Sequence, residues 1–402
     1  MSDTAVIVAG AGPAGSLAAY ELALRGIPVL ILEKSRFPRY KVCGGGLTFK
    51  ILQEIPFDVT PVLQTRIHDI VFSRGLKDRF ARHSPDPLMY CTDRADFDSF
   101  LLEQAVGAGA RVMHGIHVTG VRQDQAGTEV VTRSGVFRST LVIGADGAAG
   151  MVARSAGLRE NIQPGLAWEA ELAADPESLR SFACTVFLDW GTFPGGYGWV
   201  FPKKDHFSLG VGGPAVLAGQ MKEYYSRFVG YLKSDSGCGM QDMISFKSWP
   251  IPVRVKKGLF HRGRVMVAGD AAGLTDPLTG EGIYYAIRSG KLAAGACHAF
   301  LQGSGSSLES YSSAVNEELM SELLEANRIR HVFNSAPGRI HAFVRDNDRA
   351  WRAFGKILRG ERKYADVAGG FGKWKGLWRP ACLGAKIIHA CREKRFGKKG
   401  FK

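Results

Sequence analysis

The stretch AVIVAGAGPAGSLAAYELALRGIPVLILEK, residues 5–34, decides the fold of this chain. Its first residues, Ala5 to Val8, are uncharged and rich in β-branched side chains, as a strand buried on both faces of a parallel sheet should be. Gly10, Gly12 and Gly15 follow with the spacing G-x-G-x-x-G. The first glycine permits a tight turn, the second leaves room for a pyrophosphate, and the third lets a helix pack closely on the strand. The stretch therefore predicts a strand, a glycine turn, a helix and a second strand.

Glu33 ends the second strand, about twenty residues beyond the glycines. An acid at this position accepts hydrogen bonds from ribose hydroxyls, while the free N–H groups at the start of the helix attract phosphate. Three glycines in an ordinary turn are the alternative, but the strand, the helix and the acid agree with one another. The pattern predicts a site for a dinucleotide that contains ADP.

The composition is that of a globular protein with two or three structural units. The chain has 402 residues, of which 45% are apolar and 22% are charged. It shows no secretion signal and no run of about eighteen apolar residues, the length that a membrane span needs, so we expect a cytoplasmic protein. Its seven cysteines, an odd number without a C-x-x-C pair, favour free thiols and predict no metal site.

Much of the formal net charge of +14 lies at the end of the chain. From Lys373 onward there are ten Lys or Arg residues and one acid, Glu393. No nucleic-acid motif accompanies this segment, so nucleic acid is not an expected partner. Apolar residues at roughly helical spacing are interleaved with the charges, which suits an anionic surface at the inner face of a membrane; a solvated terminus is the alternative. These apolar residues are Leu383, Ile387, Ile388 and Cys391.

The segment FPRYKVCGGGL, residues 37–47, is the second informative stretch. Gly44 and Gly45, with a third glycine after them, let backbone N–H groups approach a flat ligand where a Cβ would obstruct it. Cys43 lies at the edge of this loop, and Tyr40 precedes it. A small buried residue is the alternative interpretation of Cys43. Its position between the dinucleotide turn and the glycines favours a place near the ligand.

Two further segments place polar residues near the same site. A helix that begins near Arg94 carries Asp98 one turn later, so that the two side chains can form an ordinary salt bridge or reach a cofactor. Later, the apolar strand from residue 141 to 143 ends in the sequence G-A-D-G, which contains Asp146. This position could be any turn, but it follows the kind of strand that a ligand-binding α/β sheet uses.

A third segment returns to the sheet of the first domain. The strand at residues 264–268 is followed by G-D-A-A-G, which places Asp270 where it can bind a sugar or ribityl hydroxyl. Gly280 and Gly282 precede a helix, whose free N–H groups then face the ligand crevice. Such a helix start stabilises negative charge on a reduced ring.

The segment PGGYGWVFPK, residues 194–203, is rich in aromatic residues. In a strand, Tyr197, Trp199 and Phe201 project from one face because the side-chain period is two. A sheet face packed on a core and the wall of a long apolar pocket are equally good interpretations.

The last hundred residues contain periodic apolar positions that predict amphipathic helices. These helices would cap the pocket or dock on a membrane. The positions are Leu308, Tyr311, Val315, Leu319, Trp351, Phe354 and Leu358.

Taken together, these features resemble the flavoproteins of the para-hydroxybenzoate hydroxylase fold. The glycine turn, Glu33, the Arg94 helix, Asp146 and Asp270 occur in that family's order. Within that group, the pattern P-x-Y-x-x-C-x-G from residue 38 and the pattern P-x-x-Y-x-W-x-F-P from residue 194 are similar to two motifs of the geranylgeranyl reductase family. Its members saturate isoprenoid double bonds in archaeal lipids, chlorophyll side chains or quinone tails.

The resemblance implies an α/β protein that binds FAD. A Rossmann-like FAD-binding domain would comprise residues 1–66, 94–160 and 251–300. An inserted antiparallel-sheet substrate domain would comprise residues 67–93 and 161–250, and residues 301–402 would form a helical, basic region.

The resemblance also implies an FAD-dependent reductase that acts on the C=C bonds of a polyprenyl chain carried by a lipid, a quinone or a pigment. Hydride would reach one alkene carbon from the flavin and a proton would reach the other, with Tyr40 and Cys43 lining the site. Because the chain has no second glycine motif for a nicotinamide, a reduced pyridine nucleotide or ferredoxin would donate electrons transiently. An aromatic hydroxylase of the same fold and a non-enzymatic prenyl-lipid carrier are the rival functions.

Overall fold

The computed structural model describes residues 4–124, 127–234, 240–303 and 307–369. Its strands are β1 (Val6–Ala9), β2 (Val29–Glu33), β3 (Gly46–Thr48), β4 (Thr65–Ile67), β5 (Asp69–Arg74), β6 (Phe80–His83), β7 (Met89–Cys91), β8 (Arg111–His114), β9 (Val118–Gln123), β10 (Thr128–Thr132), β11 (Gly135–Ser139), β12 (Leu141–Gly144), β13 (Ile162–Ala174), β14 (Thr185–Trp190), β15 (Tyr197–Pro202), β16 (His206–Pro214), β17 (Met240–Arg254), β18 (His261–Arg262) and β19 (Val265–Val267). Its helices are α1 (Pro13–Leu24), α2 (Phe49–Glu54), α3 (Arg94–Gly107), α4 (Val152–Ser155), α5 (Pro176–Ser181), α6 (Ala218–Ser234), α7 (Ile283–Leu301), α8 (Glu309–Ala314), α9 (Ser321–Ser335), α10 (Pro337–Asp346), α11 (Asp348–Leu358) and α12 (Tyr364–Gly369).

A six-stranded sheet carries the glycine turn. Its order is β18-β19-β12-β1-β2-β8, and every neighbouring pair except β18 and β19 is parallel. All residues of β1 and β12 are buried, as expected for central parallel strands. Helix α1 packs on α7, where Gly290 is required because a Cβ there would lie 2.3 Å from the carbonyl oxygen of Ala14. The predicted α/β class with a parallel FAD-type sheet is confirmed.

A seven-stranded sheet forms the second layer, in the order β17-β13-β16-β15-β14-β5-β6. Its neighbours are antiparallel except for β5 and β14. Helix α6 covers one face with Met221, Tyr224, Phe228 and Leu232, which are buried at the spacing of an amphipathic helix. Gly198 lies on this face, since a Cβ there would be 2.7 Å from the hydroxyl of Tyr224. The residues that alternate with Gly198 along β15 therefore point to the opposite face.

The strands of the two sheets come from different parts of the chain. Those of the six-stranded sheet lie within residues 1–66, 94–160 and 251–300, and those of the seven-stranded sheet lie within 67–93 and 161–250 except that β17 continues to Arg254. Two smaller sheets, β11-β10-β9 and β3-β7-β4, accompany them. On this basis we propose the division into an FAD-binding domain, a substrate domain and a C-terminal region.

The C-terminal helices pack on both sheets. Leu308, Tyr311, Val315 and Leu319 are buried in the core that contains β1 and β12. Trp351 and Leu358 of α11 are buried against β5 and β14, together with residues such as Phe72 and Val186. Helix α11 thus covers part of the face of the seven-stranded sheet that α6 leaves open.

Within the described ranges, no helix is both long enough and apolar enough to cross a membrane. The basic segment from Lys373, including Leu383, Ile387, Ile388 and Cys391, lies outside the described residues. Membrane contact by that segment stays a prediction from the sequence.

Candidate active site

A cavity of about 1350 Å³ connects the turn after β1 with helices α9 to α11. Ligand pockets usually have volumes of roughly 300 to 1,000 Å³, so this cavity has room for a nucleotide cofactor and a second ligand. One end is lined by the glycine turn, by residues 39–46 and by the loops after β12 and β19. The other end lies between the seven-stranded sheet and the C-terminal helices.

The three glycines of the turn are required for different reasons. Gly10 has a φ of +98°, and a Cβ on it would lie 2.4 Å from the carbonyl oxygen of Ala145. A Cβ on Gly15 would lie 1.9 Å from the carbonyl oxygen of Gly10. Among the described residues, a Cβ on Gly12 would come within 4 Å only of Arg39, whose Nη2 would be 3.8 Å away. Gly12 therefore borders open space at the start of α1, which fits the phosphates of a ligand.

Glu33 is 4% exposed and fastens the glycine turn to the end of β2. Its Oε2 accepts the N–H of Ala11 at 2.8 Å, and its Oε1 accepts the N–H of Ser35 at 2.8 Å. Each carboxylate oxygen can accept more than one hydrogen bond. Glu33 lines the cavity and so can serve both the turn and a ligand, and its contact with a ribose stays a prediction.

Arg94 and Asp98 form an ion pair on α3. The Nε and Nη2 of Arg94 donate to the two carboxylate oxygens of Asp98, at 2.8 and 2.9 Å. Arg39 donates to Oδ2 of the same carboxylate at 3.0 Å. Asp98 is fully buried, while Arg94 and Arg39 line the cavity. Two cations share one carboxylate, and the remaining positive charge favours an anionic ligand at this wall.

Asp146 is held by the start of α4. Its Oδ2 accepts the N–H groups of Met151 and Val152, at 2.6 and 3.0 Å. Its Oδ1 is buried and has no hydrogen-bond partner in the part of the chain that the structure describes. Burial raises the pKa of Asp146 against the lowering effect of these backbone N–H groups. Because Asp146 lines the cavity, a ligand hydroxyl would satisfy the bare oxygen.

Asp270, Gly280 and Gly282 meet at one wall of the cavity. Asp270 lies in a 3-10 turn, Gly269–Ala272, directly after β19. A Cβ on Gly282, the residue before α7, would lie 3.2 Å from Oδ1 of Asp270. Gly280 has a φ of +74°, and a Cβ there would lie 2.8 Å from the hydroxyl of Tyr197. The predicted helix start at the ligand crevice is thus next to the predicted acid.

The glycine loop at residues 44–46 is fixed by a buried lysine that the sequence analysis did not single out. The Nζ of Lys203 donates to the carbonyl oxygens of Gly44 and Thr92, at 2.7 and 2.6 Å. Gly45 has a φ of +65°, and a Cβ there would lie 2.0 Å from the carbonyl oxygen of Thr92. The ring of Phe201 would be 2.9 Å from a Cβ on Gly44. Two of these glycines thus permit close packing inside the protein, and contact with a cofactor stays a prediction for Gly44 and Gly45.

The aromatic residues Tyr197, Trp199 and Phe201 of β15 all line the cavity. The hydroxyl of Tyr197 donates to the carbonyl oxygen of Thr279 at 2.5 Å. The Nε1 of Trp199 is buried without a hydrogen-bond partner among the described residues. Of the two interpretations of this strand, the structure favours the pocket wall. The residues that alternate with the three aromatic residues, such as Gly198, form the face that α6 covers, so the aromatic side chains point into the cavity.

The far end of the cavity has apolar side chains on both sides, beside polar residues such as Arg330 and Arg349. Strands β5 and β14 contribute Phe72, Val186 and Leu188, while α10 and α11 contribute Val344, Trp351 and Phe354. This arm of the cavity begins beside the aromatic strand and ends at the helices that the sequence predicted as a possible cap. An elongated apolar ligand fits such a space.

Glu169 of β13 joins the two predicted catalytic residues, and the sequence analysis missed it. Its Oε1 accepts the N–H of Cys43 at 3.0 Å and the hydroxyl of Tyr40 at 3.3 Å. Glu169 is 1% exposed and lines the cavity. Burial raises its pKa to about 7, although the Cys43 N–H and Lys203 act to lower it. The Cys43 Sγ accepts the N–H of Gly45 at 3.4 Å.

The residues of the polar end fit FAD, since the turn leaves space at Gly12 and Asp146 offers a bare oxygen for a hydroxyl. A family model described as an FAD binding domain matches residues 3–175. The fold and the site therefore define a flavoprotein with FAD as its cofactor.

Comparison with known proteins identifies the family. The chain is 32% identical over 310 residues to the geranylgeranyl diphosphate reductase of Rhodobacter capsulatus, covering 73% of this chain and 75% of the relative. It is 32% identical over 303 residues to a digeranylgeranylglycerophospholipid reductase of Methanococcoides burtonii, with 72% of each chain covered. A geranylgeranyl bacteriochlorophyll reductase-like protein from Thermoplasma acidophilum has a similar fold, with a TM-score of 0.74, 25% identity, and coverage of 85% of this chain and 91% of that one. The chain belongs to the geranylgeranyl reductase family and is an FAD-dependent oxidoreductase.

Proposed function

We propose that this protein saturates C=C double bonds of a geranylgeranyl or other polyprenyl chain that is carried by a lipid, a quinone or a pigment. The observation that carries the proposal is the apolar arm of the cavity, which is continuous with the FAD end. A flexible hydrocarbon chain gains stability from burial in such an arm by roughly 25 cal/mol per Å² of apolar surface. The names of the two reductase relatives agree with this class of substrate.

Several residues of the polar end would hold FAD. The turn at Gly10, Gly12 and Gly15 would receive the pyrophosphate, and Glu33 would bind the ribose. The other proposed cofactor residues surround the rest of the molecule: Gly44, Gly45, Arg94, Asp146, Asp270, Gly280 and Gly282. When bound and reduced, the flavin supplies hydride to the alkene.

The protein has to supply the proton and exclude water. Tyr40 and Cys43 lie at the boundary between the polar end and the aromatic strand, so we propose them as the residues at the reacting carbon atoms. Tyr197, Trp199 and Phe201 would hold the hydrocarbon chain against this boundary. An isolated alkene has no carbonyl group to activate it, so a positioned acid in a dry site is needed.

The electron donor and the place of action are further parts of the proposal. A reduced pyridine nucleotide or ferredoxin would reduce the flavin transiently. The protein would act in the cytoplasm, at the inner face of a membrane that its basic end contacts through anionic lipids. Equal binding of the full chain and of a chain ending before Lys373 to anionic vesicles would contradict the membrane contact.

Mass analysis of products tests the reaction class. Reduced, FAD-loaded protein would be incubated anaerobically with geranylgeranyl diphosphate, with an unsaturated archaeal-type phospholipid and with a menaquinone. We expect at least one substrate to gain two hydrogens per double bond. In a parallel incubation under air, gain of one oxygen by a substrate would identify a hydroxylase. Recovery of every substrate unchanged but bound would identify a carrier.

A further inference from the structure

A chain of hydrogen-bonding groups runs from the edge of the seven-stranded sheet to Glu169. Ser245 of β17 is partly exposed, and its hydroxyl donates to Oε2 of Glu171 at 3.2 Å. Ser245 also acts on Tyr40, because its hydroxyl lowers the pKa of Tyr40, and the Tyr40 hydroxyl in turn donates to Oε1 of Glu169 at 3.3 Å. Two carboxyl groups are thus joined by two hydroxyls. Because a hydroxyl both donates and accepts, a proton can move along such a chain.

Tyr40 stands where this chain meets the cavity. Burial raises the pKa of Tyr40 above its usual range, Ser245 acts to lower it, and the carboxylates of Glu169 and Glu171 raise it further. A free tyrosinate is therefore strongly disfavoured at this position. Tyr40 can release its proton only while it receives another from a neighbour.

Glu169 is the neighbour that can hold this proton. Its Oε1 already has two hydrogen-bond partners, whereas its Oε2 is buried with none among the described residues. A buried carboxylate with a bare oxygen is costly, and protonation removes that cost. The charged groups that face it are Lys41 and Lys203, which stabilise the carboxylate, Glu171 on the same strand, which destabilises it, and Lys247, which is paired with Glu169 on β17 and lies 4.5 Å from the Tyr40 ring centre.

We propose that Glu169, in its acid form, is the proton store for alkene saturation and that Tyr40 passes the proton into the cavity. The inference rests on the proposed reductase function. When bound and reduced, the flavin would supply hydride to one alkene carbon, while the O–H bond of Tyr40 breaks and its proton bonds to the other carbon. A half-turn of the Glu169 carboxyl group about its terminal bond brings the protonated oxygen to face Tyr40, and the proton then moves to the Tyr40 oxygen. The carboxylate that remains regains a proton from solvent through Glu171, Ser245 and Tyr40.

Glu169→Gln tests this assignment, because the amide keeps the size of the side chain and an acceptor for the Cys43 N–H but cannot store the proton. Single-turnover oxidation of reduced, FAD-loaded protein by a geranylgeranyl substrate would be followed from about pH 5.5 to about pH 8.5. We expect the wild-type rate to fall as pH rises through neutrality. The variant should be slower by about 10²-fold or more and lack this pH dependence.

Matched variants separate a proton store from a structural role. Glu129→Gln, on β10 outside the cavity, should keep the wild-type rate and pH profile. Glu169→Asp should restore the pH dependence that Glu169→Gln loses, at a reduced rate. FAD affinity and reduction by dithionite should stay normal in all three variants. A Glu169→Gln protein with the wild-type rate and pH profile would overturn the proposal.

Infrared difference spectroscopy provides a measurement that needs no substrate. The FAD-loaded wild type should show a carboxylic-acid C=O band that disappears as pH rises through neutrality, and Glu169→Gln should lack this band. If the wild type reduces the alkene but shows no such band, the role of Glu169 as a proton store is overturned and the reductase function stands. Presence of the band in a wild type that reduces no polyprenyl substrate would overturn the reductase function on which the store depends.

Discussion

The hydroxyl of Tyr364 donates a hydrogen bond to Oδ2 of Asp276 across 2.8 Å, although 88 residues separate them in the chain. Tyr364 begins α12, and Asp276 starts the loop that leads to Gly280 and α7. The other oxygen of Asp276 accepts the N–H groups of Leu278 and Thr279, at 2.7 and 3.1 Å. The last described helix is thereby tied to the wall of the cofactor end, so the C-terminal region helps to form the site.

Tyr364→Phe should destabilise this attachment. Tyr364 is 3% exposed and Asp276 is 1% exposed, so loss of the donor leaves a buried carboxylate oxygen with one partner fewer. We expect a loss of about 1 to 3 kcal/mol in the free energy of unfolding and faster proteolysis at α12. Denaturant unfolding of the FAD-loaded protein would measure it. Tyr20→Phe, at a partly exposed position of α1, is the control, and equal stability of both variants would contradict this role.

Gly12→Val and Gly10→Val should fail in different ways. Gly12 borders open space, so its variant should fold but should not bind FAD, because the valine side chain occupies the place of the pyrophosphate. Gly10 has a positive φ, and a Cβ there would collide with the Ala145 carbonyl oxygen, so its variant should lose the fold itself. Circular dichroism and the flavin absorbance of the purified proteins distinguish the two outcomes. Stoichiometric flavin in a folded Gly12→Val protein would refute the cofactor site.

Because of Glu169, the free energy of unfolding should decrease as pH rises. Burial raises the pKa of this carboxyl from its ordinary 4.5 to about 7 in the folded protein, so between these values the unfolded chain binds fewer protons. The stabilising contribution is complete below pH 4.5 and is lost as pH rises through 7. At 1.36 kcal/mol per pKa unit, the loss is at most about 3 kcal/mol. Unfolding of wild type and Glu169→Gln at several pH values should show this slope in the wild type and a flatter one in the variant, whereas parallel curves would contradict the raised pKa.

Local signals in the sequence were sufficient to predict FAD and the strand, turn and helix at the cofactor end of the cavity. The glycine turn and Glu33 lie within thirty residues of one another, and the strand, turn and helix leave few ways to arrange them. The alternation in β15 was equally local, because a period of two places Tyr197 and Trp199 on one face. The amphipathic positions of the C-terminal helices were also predicted from local spacing, here that of a helix. The sequence did not show that α11 would pack against β5 and β14.

Glu169 could not be found in this way. The sequence AWEAEL contains Glu169 and Glu171 on the same face of a strand, and nothing local distinguishes the buried acid from the partly exposed one. The difference arises because the loop of Tyr40 and Cys43, about 126 to 129 residues earlier, folds over the first acid. The role of Lys203 could not be predicted either, since the carbonyl oxygens that it binds belong to two other loops. Contacts between segments far apart in sequence decide both roles.

Leu188→Trp should shorten the apolar arm of the cavity. Leu188 is paired with Trp199 on one side and with Phe72 on the other, so its side chain lies in the row that crosses the cavity face of the sheet. A larger ring there would occupy space needed by a long hydrocarbon chain and leave the cofactor end untouched. We expect KM for a twenty-carbon chain to rise by about tenfold, the effect of roughly 1.4 kcal/mol, while a ten-carbon chain is reduced as before and FAD affinity stays the same. Leu24→Trp, at a residue of α1 that is 60% exposed, is the matched control. If Leu188→Trp changes KM equally for the twenty-carbon and the ten-carbon substrate, the hydrocarbon chain does not occupy this arm. The apolar arm would then no longer support the proposed substrate class.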